Sequence, residues 1–270
     1  MVEVPSESWR PPLFARPSPG GFAKLLAAAR RFVDIQAGST SMDVAAVLPS
    51  VRGSVLDVGC GAQPFRPLVH PDATYLGIDT EGAKAHFGYE MPDTTYFTGD
   101  RWPVADGSID FVLCTETMEH VFDTRGLLSE VSRSLNPGGA VLLTIPFAAR
   151  WHFIPYDYWR FTPSCLDRLL RGSGFTDVRV YARGNALTVA CYKVMALILP
   201  LLAAQRAKAP LSWFIRVVGV ALAPVLCILA VLANISLLGR GGNDCLGYTV
   251  VAHKANPASS ESHLERVHES

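Results

Sequence analysis

SVLDVGCGAQP, residues 54 to 64, carries an apolar run into an aspartate, Asp57, and then into two glycines, Gly59 and Gly61, with one residue between them. Val55, Leu56 and Val58 leave no polar alternation, as expected of a strand covered on both faces. The glycines end that strand in a turn where backbone comes close to a ligand that a Cβ would block. Working outward, further strand candidates follow at TYLGID (74 to 79), TYFTGD (95 to 100), IDFVLCT (109 to 115) and AVLLTIP (140 to 146). Between the last two, DTRGLLSEVSRSLNPGG reads as a helix stopped by Asn-Pro-Gly-Gly. Strands alternating with helices specify an α/β fold, a doubly wound parallel sheet that binds ligands beyond the carboxyl ends of its strands.

The sheet continues after a helix that Thr162 caps and Pro163 begins, with Gly172 near its end. FTDVRVYARG (175 to 184) makes a sixth strand and CLGYTVVAHK (245 to 254) a seventh. FAKLLAAARRFVDIQ (22 to 36) has apolar residues at helical spacing and is expected to pack over the domain that follows. The chain therefore divides into a disordered arm (1–21), a sheet domain (22–185), an apolar helical hairpin (186–240), the final strand (241–254) and a disordered tail (255–270).

Composition narrows the partners. Lys and Arg number 24, Asp and Glu also 24, so no global charge draws the chain toward nucleic acid. The six cysteines lack the close pairing of zinc ligands or a redox dithiol, which fits a reducing compartment. The seven histidines are dispersed, so no metal site is expected, and no Gly-x-Ser-x-Gly elbow supports a hydrolase. The N-terminal residues are proline-rich and hold no apolar core of a secretory signal.

The opening stretch discriminates between cofactors. A dinucleotide fingerprint needs a third glycine three residues after the second, and that position is Pro64. Asp57 would repel a pyrophosphate but attract a cation; at about 4 Å a charge pair is worth roughly 4 kcal/mol at an effective dielectric of 20. A positively charged nucleoside cofactor fits, and S-adenosylmethionine carries both a sulfonium and an ammonium.

Asp57-Val58-Gly59-Cys60-Gly61 resembles the first motif of the class I S-adenosylmethionine-dependent methyltransferases, in particular their broad small-molecule group. The resemblance implies a Rossmann-like, seven-stranded methyltransferase sheet, with all five of those residues on the cofactor. It implies that Asp79 bonds both ribose hydroxyls, that Asp100 holds the adenine amino group, that Arg101 or Trp102 lies against the ring, and that Thr115 ends the fourth strand beside it. PYDYWRFTP (155 to 163) is similar to strings in methyltransferases resembling those of surface-glycan synthesis.

His120 follows the fourth strand at the substrate side and is the candidate general base. The aromatic stretch RWHFIPYDYWRFTP (150 to 163) is expected to close over the cofactor and present His152, Tyr156, Asp157 or Tyr158 to substrate, with Trp159 and Phe161 against the core. The activity expected is methyl transfer to a small or lipid-linked acceptor, most simply on oxygen. A catalytically inactive membrane-attached cofactor-binding scaffold is the alternative, and a nicotinamide oxidoreductase is disfavoured by Pro64 and Asp57.

The segment 186–240 has no place in an ordinary α/β domain. Val217 to Leu238 holds no charge and, at 1.5 Å per residue, is long enough to cross a hydrocarbon core of about 30 Å, with a kink at Pro224. Val194 to Ala204 reaches only about 16 Å. These lengths predict a hairpin that enters one leaflet and returns, with Arg206, Lys208 and Arg216 at anionic head groups and Trp213 at the interface. The protein is then expected on the cytoplasmic face of the cell membrane; the alternative is a cytoplasmic protein in which the two helices are buried in an enlarged core or a dimer interface.

Overall fold

A computed structural model describes residues 21–88, 90–202, 209–239 and 241–256. Residues 1–20 of the expected arm, 257–270 of the expected tail, Arg206, Lys208 and the side chain of Arg216 lie outside what it describes. The described chain groups into two compact units.

The first unit holds the sheet. Its strands are β1 (Ser54–Val58), β2 (Thr74–Thr80), β3 (Thr94–Phe97), β4 (Ile109–Thr115), β5 (Leu135–Pro146), β6 (Phe175–Arg183) and β7 (Gly247–Lys254), in the spatial order β3-β2-β1-β4-β5-β7-β6. The pairs β1 with β2, β1 with β4, β2 with β3 and β4 with β5 are parallel. The order reverses at β1, and β1 and β4 lie side by side, so the turns leaving them share one edge. The expected all-parallel sheet is corrected at its other end. Leu246 N–H donates to Arg183 O and Ala255 N–H to Gly174 O, so the start of β7 lies at the end of β6 and the two run antiparallel.

Apolar runs become strands here because both faces are covered. Val55, Phe111, Leu113 and Leu142 are buried with Val44, Leu48 and Phe65 in one cluster. Each such side chain contributes about 1.5–3 kcal/mol on leaving water. β5 starts five residues before the expected Ala140: Ile109 pairs with Leu135 and Phe111 with Ala140, so the Asn-Pro-Gly-Gly stretch is a bulge inside the strand. A Cβ on Gly139 would sit 2.9 Å from Asn136 O and 3.1 Å from Asp110 O.

Helices of this unit carry their own stops and starts. Asp123 caps α4 (Thr124–Ser134) through Gly126 N–H, at 2.9 Å, and Thr162 caps α5 (Pro163–Gly172) through Cys165 N–H, at 3.4 Å. A shorter helix after β2, α3 (Glu81–Phe87), was not expected; Thr80 caps it and Gly88 ends it at φ 71°.

The second unit comprises the described residues from 21 to Met42 and from Ala182 to Gly247. It holds α1 (Gly21–Val33), the first part of α2 (Ile35–Val47), α6 (Ala186–Leu202), α7 (Ala209–Ala221) and α8 (Ala223–Leu237). Residues 22 to 42, expected in the sheet domain, group here instead, and the expected two-helix stretch carries three helices. Ile35, Cys191, Met195, Ile198, Leu226, Ala230, Ala233 and Leu246 form its core. Arg183, 4% exposed, donates to Ser39 Oγ and Thr40 Oγ1. Among the described residues no single helix is long and apolar enough to cross a membrane. The run from Trp213 to Leu237 breaks at Leu222 and bends by 47°, where one kinked helix was expected. Pro224 stands in the first turn of α8, where its missing N–H costs nothing.

Candidate active site

β1 ends at Val58, and Gly59 turns the chain at φ 66°; a Cβ there would stand 2.5 Å from the Thr117 side chain. Gly61 takes φ 48° and donates its N–H to Asp79 Oδ2 at 2.9 Å, while Thr80 N–H donates to Asp79 Oδ1 at 2.8 Å. The first and second strand ends are thereby locked together, with Asp79 buried between them. Burial pushes the Asp79 carboxyl above its usual range, and those two N–H donors hold it back.

Asp57 is 1% exposed, and Tyr75 Oη donates to its Oδ2 at 2.7 Å. Burial raises the Asp57 carboxyl to about 7; the Tyr75 hydrogen bond opposes this and the charge of Asp79 adds to it. Two buried carboxylates at the ends of adjacent strands make a site that favours a cation. Cys60 is buried against Thr94 Oγ1 at 3.6 Å, and burial pushes its thiol far up. Val58 is buried, and Thr115 pairs with Thr144 at the end of β4.

The adenine side differs in part from expectation. Asp100 is exposed after β3. Arg101 is tied to Asp106 at 2.9 Å, and Trp102 is packed away at 7% exposure, its N–H donating to Glu130 Oε2 at 2.7 Å.

After β4 a short 3-10 turn, Met118–His120, meets the loop 150–161. Tyr158 and Trp159 N–H groups donate to Glu119 O at 2.9 and 3.3 Å, and the Trp159 indole N–H donates to Val121 O at 3.2 Å. Phe161 is buried as expected, whereas Trp159 keeps 38% of its surface exposed. Asp157, expected to reach substrate, is instead consumed: Arg160 grips it with two hydrogen bonds of 2.6 and 2.8 Å, and His152 N–H donates to it at 3.0 Å. Burial would raise the Asp157 carboxyl, but the Arg160 fork and His152 outweigh it and hold it well below the usual range. Tyr156 and Tyr158 remain exposed, at 48% and 42%.

His120 Nδ1 lies 3.1 Å from Tyr156 O, and its ring stands edge-on to His152 with centroids 4.8 Å apart. Burial, then the charge of His152, pushes His120 down to about 4. A value that low weakens its drive to take a proton at neutral pH. The expectation of dispersed histidines is corrected: Glu119, His120 and His152 each bring a ligand atom within 4.8 Å of the others. Tyr75 and Arg160 were missed as site residues, and Glu119, which precedes His120 after the fourth strand, was given no separate role. Arg160, three residues after Asp157, left a signal in the sequence; Tyr75 left none.

A family model for the methyltransferase domain matches residues 42–180, just over half of the chain. An uncharacterised methyltransferase of Mycobacteroides abscessus is 33% identical over 105 residues, 35% of this chain and 40% of its own length. A human thiol S-methyltransferase is 27% identical over 175 residues, 61% of this chain and 67% of its own length. A solved S-adenosylmethionine-dependent methyltransferase from Archaeoglobus fulgidus aligns over 83% of this chain and 94% of its own, at 18% identity and a TM-score of 0.48. The chain thus spans well under half of the bacterial relative. The matched stretch nonetheless contains β1 to β5, the glycine turn and both buried acids, and it makes this chain a member of the methyltransferase-domain family.

Proposed function

We propose that the protein transfers a methyl group from S-adenosylmethionine to an oxygen of a small or lipid-linked acceptor. The observation that carries this reading is Asp57: a buried carboxyl raised to about 7 at the mouth of a glycine turn is relieved by a cationic ligand and by few others. When bound, S-adenosylmethionine supplies an electrophilic methyl group on a sulfonium. Gly59 and Gly61 open the turn to it, Asp57 faces its positive charge, and Asp79 accepts from its ribose hydroxyls with the lone pairs its two backbone bonds leave over. Val58, Cys60 and Thr115 line the same edge. Asp100 takes the adenine amino group, with the exposed Arg101 the better placed of the two ring contacts because Trp102 is packed away. His120 and His152, with Tyr156 and Tyr158 on the loop above, orient the acceptor; in-line positioning supplies most of the rate.

The test is calorimetry with S-adenosylhomocysteine together with methyl transfer from labelled cofactor. Asp79→Ala should weaken binding about tenfold or more, one charge-assisted hydrogen bond being worth about 1.5–3 kcal/mol. Unchanged affinity in that variant removes Asp79 from the site, and a wild-type chain that binds the cofactor but transfers nothing to any acceptor favours an inactive scaffold.

Membrane contact is supported by a separate observation. In the second unit Leu197, Trp213, Val220 and Ile228 stand 75%, 69%, 65% and 59% exposed, in helices whose remaining faces are also apolar. Lying on the cytoplasmic face of the cell membrane, such a surface favours a lipid-linked acceptor.

A further inference from the structure

Glu119 is fully buried, and neither of its carboxylate oxygens has a hydrogen-bond partner. A carboxylate left so costs several kcal/mol unless it is neutralised or paired. Two imidazoles turn toward it: His120 Nε2 lies 3.5 Å and His152 Nε2 3.9 Å from Glu119 Oε1. A protonated Glu119 sharing its proton with either ring would hold the nitrogen within about 3 Å, so these distances do not describe a hydrogen bond. These two spacings match atoms that share an ion, since donors about 2.0–2.2 Å from one metal stand roughly 3–4 Å from each other, and all three ligand atoms lie within 4.8 Å of one another.

The rings are prepared for the same task. His120 Nδ1 faces Tyr156 O at 3.1 Å, and His152 Nδ1 faces Arg150 O at 3.0 Å and Asp157 Oδ2 at 3.1 Å. These acceptors place the ring proton on Nδ1 in both histidines and leave the lone pair on Nε2. Asp157 is itself fixed by Arg160, so His152 is aimed by a carboxylate that is aimed by a guanidinium, the outer layer that metal-binding imidazoles carry.

We propose that Glu119 Oε1, His120 Nε2 and His152 Nε2 bind one divalent transition cation. Two neutral imidazoles and one carboxylate suit Zn²⁺, Fe²⁺, Co²⁺ or Mn²⁺ better than Ca²⁺ or Mg²⁺, and three protein ligands leave coordination positions open. Those open positions face the methyl acceptor only if the preceding functional reading holds; the binding of the ion does not depend on it. An acceptor oxygen held there would be both positioned and polarised.

The experiment uses the full chain without an affinity tag, stripped with chelator and titrated with Co²⁺ by visible absorption and with Zn²⁺ by calorimetry. One ion per chain and Co²⁺ d–d bands of a nitrogen-ligated site are expected. Glu119→Gln and His152→Ala should each weaken Zn²⁺ at least tenfold, with His152→Ala leaving S-adenosylhomocysteine affinity within threefold; should alanine unfold the chain, His152→Gln replaces it. Absence of stoichiometric Co²⁺ and Zn²⁺ binding by the folded wild type, or equal affinity in the folded variants, overturns the proposal. Metal binding without cofactor binding would instead remove the methyl-transfer reading and leave the ion site standing.

Discussion

Burial raises the folded Asp57 carboxyl to about 7, so between about pH 5 and pH 8 the folded chain passes from a neutral to a charged group at a buried position. An aspartate in the unfolded chain titrates at about 3.9. The folded value, about 7, lies above that, so the stability Asp57 contributes is complete below about pH 4 and is lost as pH rises through about 7. The gap between the folded and unfolded values is worth about 4 kcal/mol at most. Asp79 and Glu119 are raised in the same way, so a single variant is needed to separate Asp57 from them. Asp57→Asn keeps an oxygen for Tyr75, and its unfolding midpoint in urea should lie closest to wild type at pH 5 and well above it at pH 8. A constant separation across that range would assign the titration elsewhere. The sequence made Asp57 legible because an acid before a glycine pair has a sign. Tyr75 was not legible, because which residue of β2 reaches Asp57 depends on register and side-chain reach that one sequence does not display.

Between β5 and α5 no helix or strand holds the chain, and side chains do it instead. Asp157 is 1% exposed in its side chain and answers to Arg160, which is 26% exposed. Removing Arg160 leaves a buried carboxylate short of its main partner, so Arg160→Met should cost about 2–4 kcal/mol in chemical denaturation, discounted from a fully buried pair for the solvent at Arg160. Adding Asp157→Asn should recover part of that loss; a double variant as unstable as the sum of the two single ones would mean the residues act independently. At this scale reading was best where local rules act alone: Thr162 and Pro163 start α5 as their chemistry predicts. It failed where pairing decides. The helix α4 does end before Asn-Pro-Gly-Gly, but the strand expected from Ala140 begins at Leu135, which already pairs with Ile109, so those four residues form a bulge within it. The meeting of His120 with His152 likewise comes from tertiary closure across 32 positions, and no spacing rule encodes it.

The described residues sort into a sheet unit whose apolar side chains are mostly turned inward and a helical unit that keeps many of them outward. If the outward ones meet lipid, the full chain should sediment with vesicles containing anionic phospholipid. A variant carrying Leu197→Ser, Val220→Ser and Ile228→Ser should then partition at least tenfold less, each exposed aliphatic side chain contributing about 1 kcal/mol or more on leaving water. A wild-type chain that stays in the supernatant would end the membrane reading. Long uncharged runs announced this unit in the sequence; the inclusion of residues 21 to 42 was hidden, because α1 and α2 join it through contacts with residues more than 200 positions away.

β7 lies between β5 and β6 in space, although it is the last of the described strands in the chain. On the ribosome, therefore, β5 and β6 have no bridge until residues 247–254 emerge, and every apolar helix of the second unit is synthesised before that happens. Until then the β5 edge has no partner on that side, through the whole interval in which the apolar helices α6 to α8 leave the tunnel. Completion of the fold is thus a late, long-range closure, and the helices of α6 to α8 set how long the unfinished sheet has to wait.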